Sequence, residues 1–328
     1  MIARTRSQLS VVIISWNTRE LTLACLESLR AAIAGIDTDI VVVDNGSNDD
    51  SADAISTRFP DIRLITNKSN RGFAAAVNQG LDYTRGETVL LLNPDAMVGP
   101  GVLGPALDHL REHPRVAALG CPVTDASGAI QGNPATLPRL GHLVAITFGL
   151  HKSPLATLRP RYLPGSTAPK SEEDVEVLSG CFLLMRRTAI EEVGGFDEGF
   201  FVFGEETDWC KRARDTGWRL DRIKLGSVQH LGSQAANRLN GRRDILLTAG
   251  LVRYHYKHGS KFKAALVWLL LWGFNASRAV LWSVRAKIAH SENRQNRATH
   301  FREVLSHYRH VWSLAKGDHE WCKKEVRP

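Results

Sequence analysis

The chain has 328 residues, 43% hydrophobic and 23% charged, an ordinary globular composition that excludes a mainly disordered protein. Its five cysteines, Cys25, Cys121, Cys181, Cys210 and Cys322, are odd in number and never spaced C-x-x-C, which argues against a disulfide framework or a zinc site and fits a reducing compartment. The net charge of +8 is uneven: from Ala236 onward there are 18 Lys and Arg against 6 Asp and Glu, about +12, which leaves about −4 on the rest. That asymmetry points the tail toward an acidic surface, anionic lipid or nucleic acid.

Arg4 and Arg6 precede an apolar run, Leu9 to Ile14, that is too short for a signal-peptide core and has no small-residue cleavage site after it. It reads as a first strand, LSVVIIS. Helical spacing over Leu21 to Ala34 and a second buried strand at Asp39 to Asp44 complete a βαβ unit. A helix over Ser51 to Phe59, a strand over Ile62 to Thr66, a helix over Gly72 to Thr84 and a strand over Thr88 to Leu92 continue the alternation. The expected fold class is therefore α/β, with a mainly parallel sheet flanked by helices.

In open α/β sheets, ligands collect beyond the strand C-termini. Trp16-Asn17 follows the first strand, Asp44-Asn45-Gly46-Ser47 the second and Asn93-Pro94-Asp95 the fourth. Asn, Asp, Gly and Pro also make good turns for backbone reasons alone. Their joint placement would nonetheless set Asp44 and Asp95 along one sheet edge, one carboxylate toward a nucleoside and the other toward a divalent cation on phosphates.

Between Asn133 and Glu176, six prolines and little periodicity, apart from an apolar patch at Leu143 to Leu150, predict a long acceptor loop leading to a strand at Val177 to Met185. Then comes GGFDEGFFVFGEETDWCKRARDTGW, Gly194 to Trp218, where a glycine-rich aromatic turn runs into Glu205 and Glu206 and a helix from Thr207. Carboxylates beside aromatics suit general-base work, because partial desolvation makes them better proton acceptors. Acidic residues in a first helical turn also simply complement the helix dipole.

The ordered string SVVIISWN, VVVDNGSND, NRGFAAAVNQGL, VLLLNPDA, LSGCFLLMRR and GGFDEGFFVFGEETDWCKRARDTGW resembles the inverting, GT-A-fold glycosyltransferases of family 2, with rhamnosyltransferase-type members most similar. The likeness runs from about Leu9 to Ser233. It implies a GT-A domain over residues 1–235 and leaves 236–328 as a basic, helical C-terminal extension. It further implies transfer of a sugar, rhamnose favoured, from a dTDP- or UDP-linked donor to a hydroxyl of a glycan or polyprenyl-diphosphate-linked acceptor in cell-envelope polysaccharide synthesis.

By the same resemblance Asp44 meets the base or ribose, and Asn17, Asn45, Gly72, Asn78 and Asn93 fall in nucleotide-binding segments. Asp95 matches the last carboxylate of the D-x-D motif; Asn93 replaces the first, and Asn45 replaces a frequent second aspartate. A divalent cation, Mg²⁺ or Mn²⁺, is implied at Asp95, with His230 of SVQHLGSQ as a second ligand where a lone histidine would ordinarily be structural. Glu206 matches the base, Glu205 could exchange roles with it, and Asp208 orients the helix. Gly195, Phe196 and Trp209 fall where the family places acceptor contacts, although core packing would equally explain Phe196.

In the tail, Ala264 to Phe274 is an eleven-residue apolar run between Lys257, Lys261 and Lys263 on one side and Arg278, Arg285 and Lys287 on the other. It is too short to span a bilayer and suits an anionic membrane surface, with packing on the catalytic domain as the alternative. The expected location is cytoplasmic, peripheral at the inner face of the plasma membrane, with no nucleic-acid partner. Two other functions compete. A sugar-phosphate nucleotidyltransferase would carry a G-x-G-T-R-like loop after the first strand, which SWNTRE is not, and a non-catalytic carbohydrate-binding protein would not need Asp44, Asp95 and Glu206 together.

Overall fold

The computed structural model describes residues 7–130, 136–147, 174–226, 228–231, 241–288 and 291–326. Most of the acceptor loop expected at 133–176 lies outside them. Its described part contains a short helix, α5 (Leu140–Thr147), in which Leu143 is buried.

A seven-stranded sheet runs in the order β3-β2-β1-β4-β7-β6-β8. Its strands are β1 (Leu9–Ser15), β2 (Thr38–Asp44), β3 (Arg63–Thr66), β4 (Thr88–Leu92), β6 (Val116–Gly120), β7 (Phe182–Arg186) and β8 (Arg219–Arg222). The first four are mutually parallel, while β7 runs antiparallel to both neighbours, so the sheet is mixed and mainly parallel. The strand expected at Val177 to Met185 begins only at Phe182; before it, the Leu178 amide donates to Cys210 Sγ and the Cys181 carbonyl accepts from the Asn93 amide.

Period-two alternation sorts the strands onto two cores. Val11 and Ile13 face one side with Leu26 and Leu29 of α1 (Arg19–Ala32) and Leu103 of α4 (Leu103–Glu112). Val12 and Ile14 face the other with Ala74 and Val77 of α3 (Phe73–Asp82) and Trp209 of α7 (Glu205–Asp215). Every one of these side chains is nearly inaccessible, and each apolar residue so buried contributes about 1.5–3 kcal/mol. The two remaining helices of this part are α2 (Ser51–Arg58) and α6 (Arg187–Val193).

Beyond the sheet, α8 (Gly241–His258), α9 (Lys261–Ile288) and α10 (Glu292–His307) are followed by two short helices, α11 (Val311–Ala315) and α12 (Glu320–Glu325). Their core contains Ile245, Val267, Tyr308 and Trp321, and it also takes in Phe201 from the turn before the glutamates. The apolar run at 264–274 is thus part of one 28-residue helix, long and apolar enough by composition to cross a membrane, whose opposite faces have different surroundings.

Candidate active site

The parallel register fixes the site's floor. Ser15 pairs with Asp44 and Ile13 with Leu92, so β1, β2 and β4 end together and deliver Trp16, Asn45 and Asn93 to one edge. A cleft opens there. It is lined by Asn45, Asn93 and Asp95 from the strand ends, and by Phe201, Glu205 and Glu206 from the turn into α7.

Asp44 is buried, with Oδ2 accepting from the Ser47 amide at 3.1 Å and Oδ1 left without a hydrogen-bond partner. A buried carboxylate oxygen with no donor is costly in isolation, which suits a position completed by a ligand's N–H or hydroxyl. Asn45 is saturated differently: its Nδ2 donates to Asn70 Oδ1 and the Gly72 carbonyl, and its Oδ1 accepts from Asn67 Nδ2 and the Arg71 amide. It braces the 67–72 loop at the cleft wall.

Asp95 and His230 come together through a two-stranded ribbon, β5 (Ala96–Val98) and β9 (Val228–His230). Antiparallel pairing sets Ala96 opposite His230, the Leu231 amide donates to the Asp95 carbonyl at 3.0 Å, and His230 Nε2 lies 3.2 Å from Asp95 Oδ1. Among the described residues no cluster of three His, Cys, Asp or Glu side chains forms a metal cage. A carboxylate beside an imidazole nevertheless fits a hard or borderline divalent cation that completes its shell with phosphate oxygens and water.

Glu205 and Glu206 open helix α7, following a turn in which Phe203 holds φ +72°. A positive φ is strained for an aromatic side chain, and such strain persists only where the surroundings enforce it. One Oε2 of each glutamate is buried without a partner. Burial pushes both carboxyls up, and Glu205 goes well above the usual range with the Glu206 charge as second cause. Backbone amides oppose the desolvation at both carboxyls, that of Glu205 at Glu205 and those of Glu206 and Gly204 at Glu206. The two carboxyls titrate as one buried pair, which holds its first proton more firmly than an ordinary glutamate does.

Asp208, one turn on, serves the helix. Burial opposes its ionisation, but hydrogen bonds from His258, Lys257 and Arg212, at 2.7, 2.8 and 2.8 Å, outweigh it and hold the carboxyl far below the usual range. Lys257 also reaches Asp197 at 2.8 Å, and Arg253 meets the same carboxylate at 2.8 Å. Through these contacts α8 clamps both flanks of the glutamate turn.

Several sequence-assigned residues sit elsewhere than the cleft, for evident reasons. Asn17 (φ +53°) spends its Oδ1 on the Asn48 amide, tying the β1 exit to the β2 exit. Gly72 (φ +90°) is needed because a Cβ there would lie 2.7 Å from the Phe201 carbonyl oxygen, which accepts the Phe73 amide. Asn78 Oδ1 accepts from the Phe196 amide and Nδ2 donates to its carbonyl, 2.8 Å each, leaving that amide group engaged with the protein. Gly195 packs against Asn78 Oδ1. Phe196 and Trp209 are both buried, stacked at 6.3 Å, with Trp209 Nε1 donating to the Gly194 carbonyl, so neither ring presents a face to an acceptor in this structure.

Two contributors to the cleft wall were not assigned from the sequence. Ser179-Gly180-Cys181, within LSGCFLLMRR, forms part of the cleft wall, and the motif string was the available signal. Burial pushes the Cys181 thiol well above its ordinary value, so it lines the cleft as a thiol. Val326, at the end of α12, also reaches the cleft, and nothing in its sequence neighbourhood announces this.

The mixed, mainly parallel sheet flanked by helices, with a cleft at its strand ends, is a GT-A fold. Residues 10–194 match the model of Glycosyl transferase family 2, and the chain belongs to that family. It is 32% identical over 216 residues to the N-acetylglucosaminyl-diphospho-decaprenol L-rhamnosyltransferase of Mycobacterium tuberculosis, covering 61% of this chain and 68% of that one. It is 26% identical over 225 residues to the low-salt glycan biosynthesis hexosyltransferase Agl10 of Haloferax volcanii, covering 67% and 64%. In three dimensions it is similar to a mannosyltransferase from Pyrobaculum calidifontis solved with GDP-Man and Mn²⁺, with TM-score 0.52 at 17% identity over 96% of this chain and 88% of that one.

Proposed function

We propose that the protein is an inverting, divalent-cation-dependent glycosyltransferase that moves rhamnose from a dTDP- or UDP-linked donor to a polyprenyl-diphosphate-linked glycan in cell-envelope synthesis. The observation that carries this reading is the pairing, across one cleft, of Asp95 with His230 nearby at the sheet edge and the partnerless Glu206 oxygen at the start of α7. Inverting transfer needs a proton acceptor at the acceptor hydroxyl and charge neutralisation at the departing diphosphate, on opposite sides of the anomeric carbon.

Each role falls to a particular group. Asp44 Oδ1, buried without a donor, takes a hydrogen bond from the nucleoside. Asp95 and His230 would hold the cation, which when bound would supply positive charge to the leaving phosphates. Glu206 removes the acceptor proton, aided by the burial that raises its basicity, with Glu205 beside it in the same buried pair. The choice of rhamnose and of a lipid-linked acceptor is supported by the similarity to the mycobacterial rhamnosyltransferase. The basic region 236–328 places the enzyme peripherally at the inner face of the plasma membrane.

The decisive experiment incubates the protein with dTDP-rhamnose, UDP-sugars and GDP-mannose, each with a polyprenyl-diphosphate-linked N-acetylglucosamine acceptor and Mg²⁺ or Mn²⁺. Product only with the pyrimidine donors is expected. Preference for the guanosine donor, or no transfer from any donor, overturns the assignment.

A further inference from the structure

We propose that helix α9 lies in the plane of an anionic bilayer surface with one particular face, Phe262, Leu269, Trp272, Val280, Val284 and Ile288, turned into the headgroup–acyl boundary. This rests on the membrane placement of the C-terminal region and specifies its element, face and mode. Among the described residues, seven of the nine exposed large apolar side chains are on α9. Scattered exposed leucines need no explanation, whereas a concentration on one helix does. The six named residues recur at helical spacing, and Phe262, Val280 and Ile288 are 78%, 65% and 77% exposed.

The opposite face is taken. Ala264, Val267, Asn275 and Ala279 are buried against the protein, and Tyr308 donates its hydroxyl to the Trp268 carbonyl at 2.7 Å. Trp268 packs against Tyr308 at 5.4 Å while Trp272 is 44% exposed, so the two tryptophans do not share an environment. A spanning helix would surrender these contacts and carry Arg278 and Asn275 into hydrocarbon, where a central arginine alone costs about 3 kcal/mol. A helix of 28 residues is about 42 Å long, ample as a rod lying flat.

Charge selects the occupant. Helix α9 contains no Asp or Glu, and Lys261, Lys263, Arg285 and Lys287 stand at its two ends. Arg278 sits 4.6 Å over Phe274, and Arg285 and Arg297 sit 5.3 and 4.7 Å over Trp282, adding positive charge along the helix. A second copy of the same face would meet this one with like charges. Anionic headgroups meet it with opposite ones, while the stripe between them enters the acyl boundary.

The test uses the full chain, its Leu269→Glu/Val280→Glu variant and its Arg285→Gln/Lys287→Gln variant. Each is sedimented with vesicles of phosphatidylcholine and phosphatidylglycerol, and of phosphatidylcholine alone. The substituted positions are exposed, so the melting transition should not move. Wild type is expected to bind the anionic vesicles at low salt and release with added salt; each double variant should bind about tenfold or more weakly. Trp272, judged from the difference between wild type and Trp272→Phe, should be quenched by lipids brominated near the carbonyls more than by those brominated near the chain ends.

Vesicle binding by the glutamate variant equal to wild type, no binding by wild type at low salt, or deeper quenching would each overturn the proposal. So would a wild-type dimer in light scattering that the glutamate variant splits, since the face would then belong to a second copy. Nucleotide binding by the same samples is scored separately, so failure of the catalytic reading is told apart from failure of this one.

Discussion

Gly250 of α8 and Phe203 of the glutamate turn are in backbone contact: a Cβ built at Gly250 would stand 2.2 Å from the Phe203 carbonyl oxygen. Phe203 is the residue held at φ +72° two positions before Glu205. The C-terminal region thus presses directly on the turn that aims the paired carboxylates. Gly250→Ala must displace either α8 or the turn, since neither contact atom is the end of a flexible side chain. Overpacking of this kind costs about 1–3 kcal/mol, and we expect a lowered melting temperature together with a kcat reduced about tenfold or more. Nucleotide binding, measured by calorimetry, should stay near wild type, because the strand-end side of the cleft is untouched. An unchanged kcat would mean that the turn tolerates the shift.

The glutamate pair should give separable pH signatures. Glu206→Gln is expected to lower turnover by about 10²–10⁴-fold with donor binding intact, the mark of a lost proton acceptor. The wild-type kcat/KM profile should rise through an acid limb lying above the ordinary glutamate value of about 4.3, because burial raises the carboxyl that must ionise. That limb should survive in Glu205→Gln and vanish in Glu206→Gln. Stability adds an independent sign. Glu205 is raised well above its unfolded value, so the stability it contributes is present below that value and is lost as pH rises through the folded one. Melting curves should therefore favour Glu205→Gln increasingly as pH is raised.

Asp208 has the opposite sign. Its folded value is depressed, so its contribution is present above the unfolded value of about 3.9 and disappears as pH falls toward the folded one. Asp208→Asn leaves Lys257 and Arg212 without their shared carboxylate, at a cost of roughly 2–4 kcal/mol after allowing for solvent at the partly exposed cations. Wild-type melting temperature should drop steeply in acid, whereas the variant starts lower and changes less. Parallel curves for the two proteins would remove Asp208 from the account.

Much of the sheet was legible because β1, β2 and β4 are buried on both faces and read as unbroken apolar runs. Asp44, Asp95 and the glutamate pair were legible as strand-end and helix-start residues. Asn78 and Trp209 were harder. A conspicuous polar or aromatic side chain in a functional segment has two possible addresses, and only three-dimensional packing turned Asn78 toward the Phe196 backbone and Trp209 into the core. The bearing of Gly250, Lys257 and Val326 on the cleft was invisible for a different reason: each depends on a long-range meeting of elements whose local patterns say only that they are helical. The eleven-residue run in the tail misled in length, because Asn275, Ser277 and Arg278 interrupt its hydropathy without interrupting the helix.

The cation reading turns on how few protein ligands are present. Among the described residues Asp95 and His230 are the pair that the β5–β9 ribbon brings together, so either substitution removes a protein ligand from the proposed shell. Asp95→Asn and His230→Gln should therefore each weaken Mn²⁺-dependent binding of the nucleoside diphosphate by about tenfold or more. Binding measured in the presence of a chelator should fall to the same low level in wild type and both variants, since Asp44 and the strand ends still hold the nucleoside. The two should differ in one respect: Asp95→Asn removes a negative charge and a hard oxygen ligand, so it should impair Mg²⁺ more than Mn²⁺, whereas His230→Gln removes a nitrogen ligand and should impair Mn²⁺ more. Isothermal titrations with each metal decide it. Wild-type affinity that is indifferent to chelator would refute cation binding at this ribbon and shift the task of neutralising the diphosphate to the chain's own basic groups.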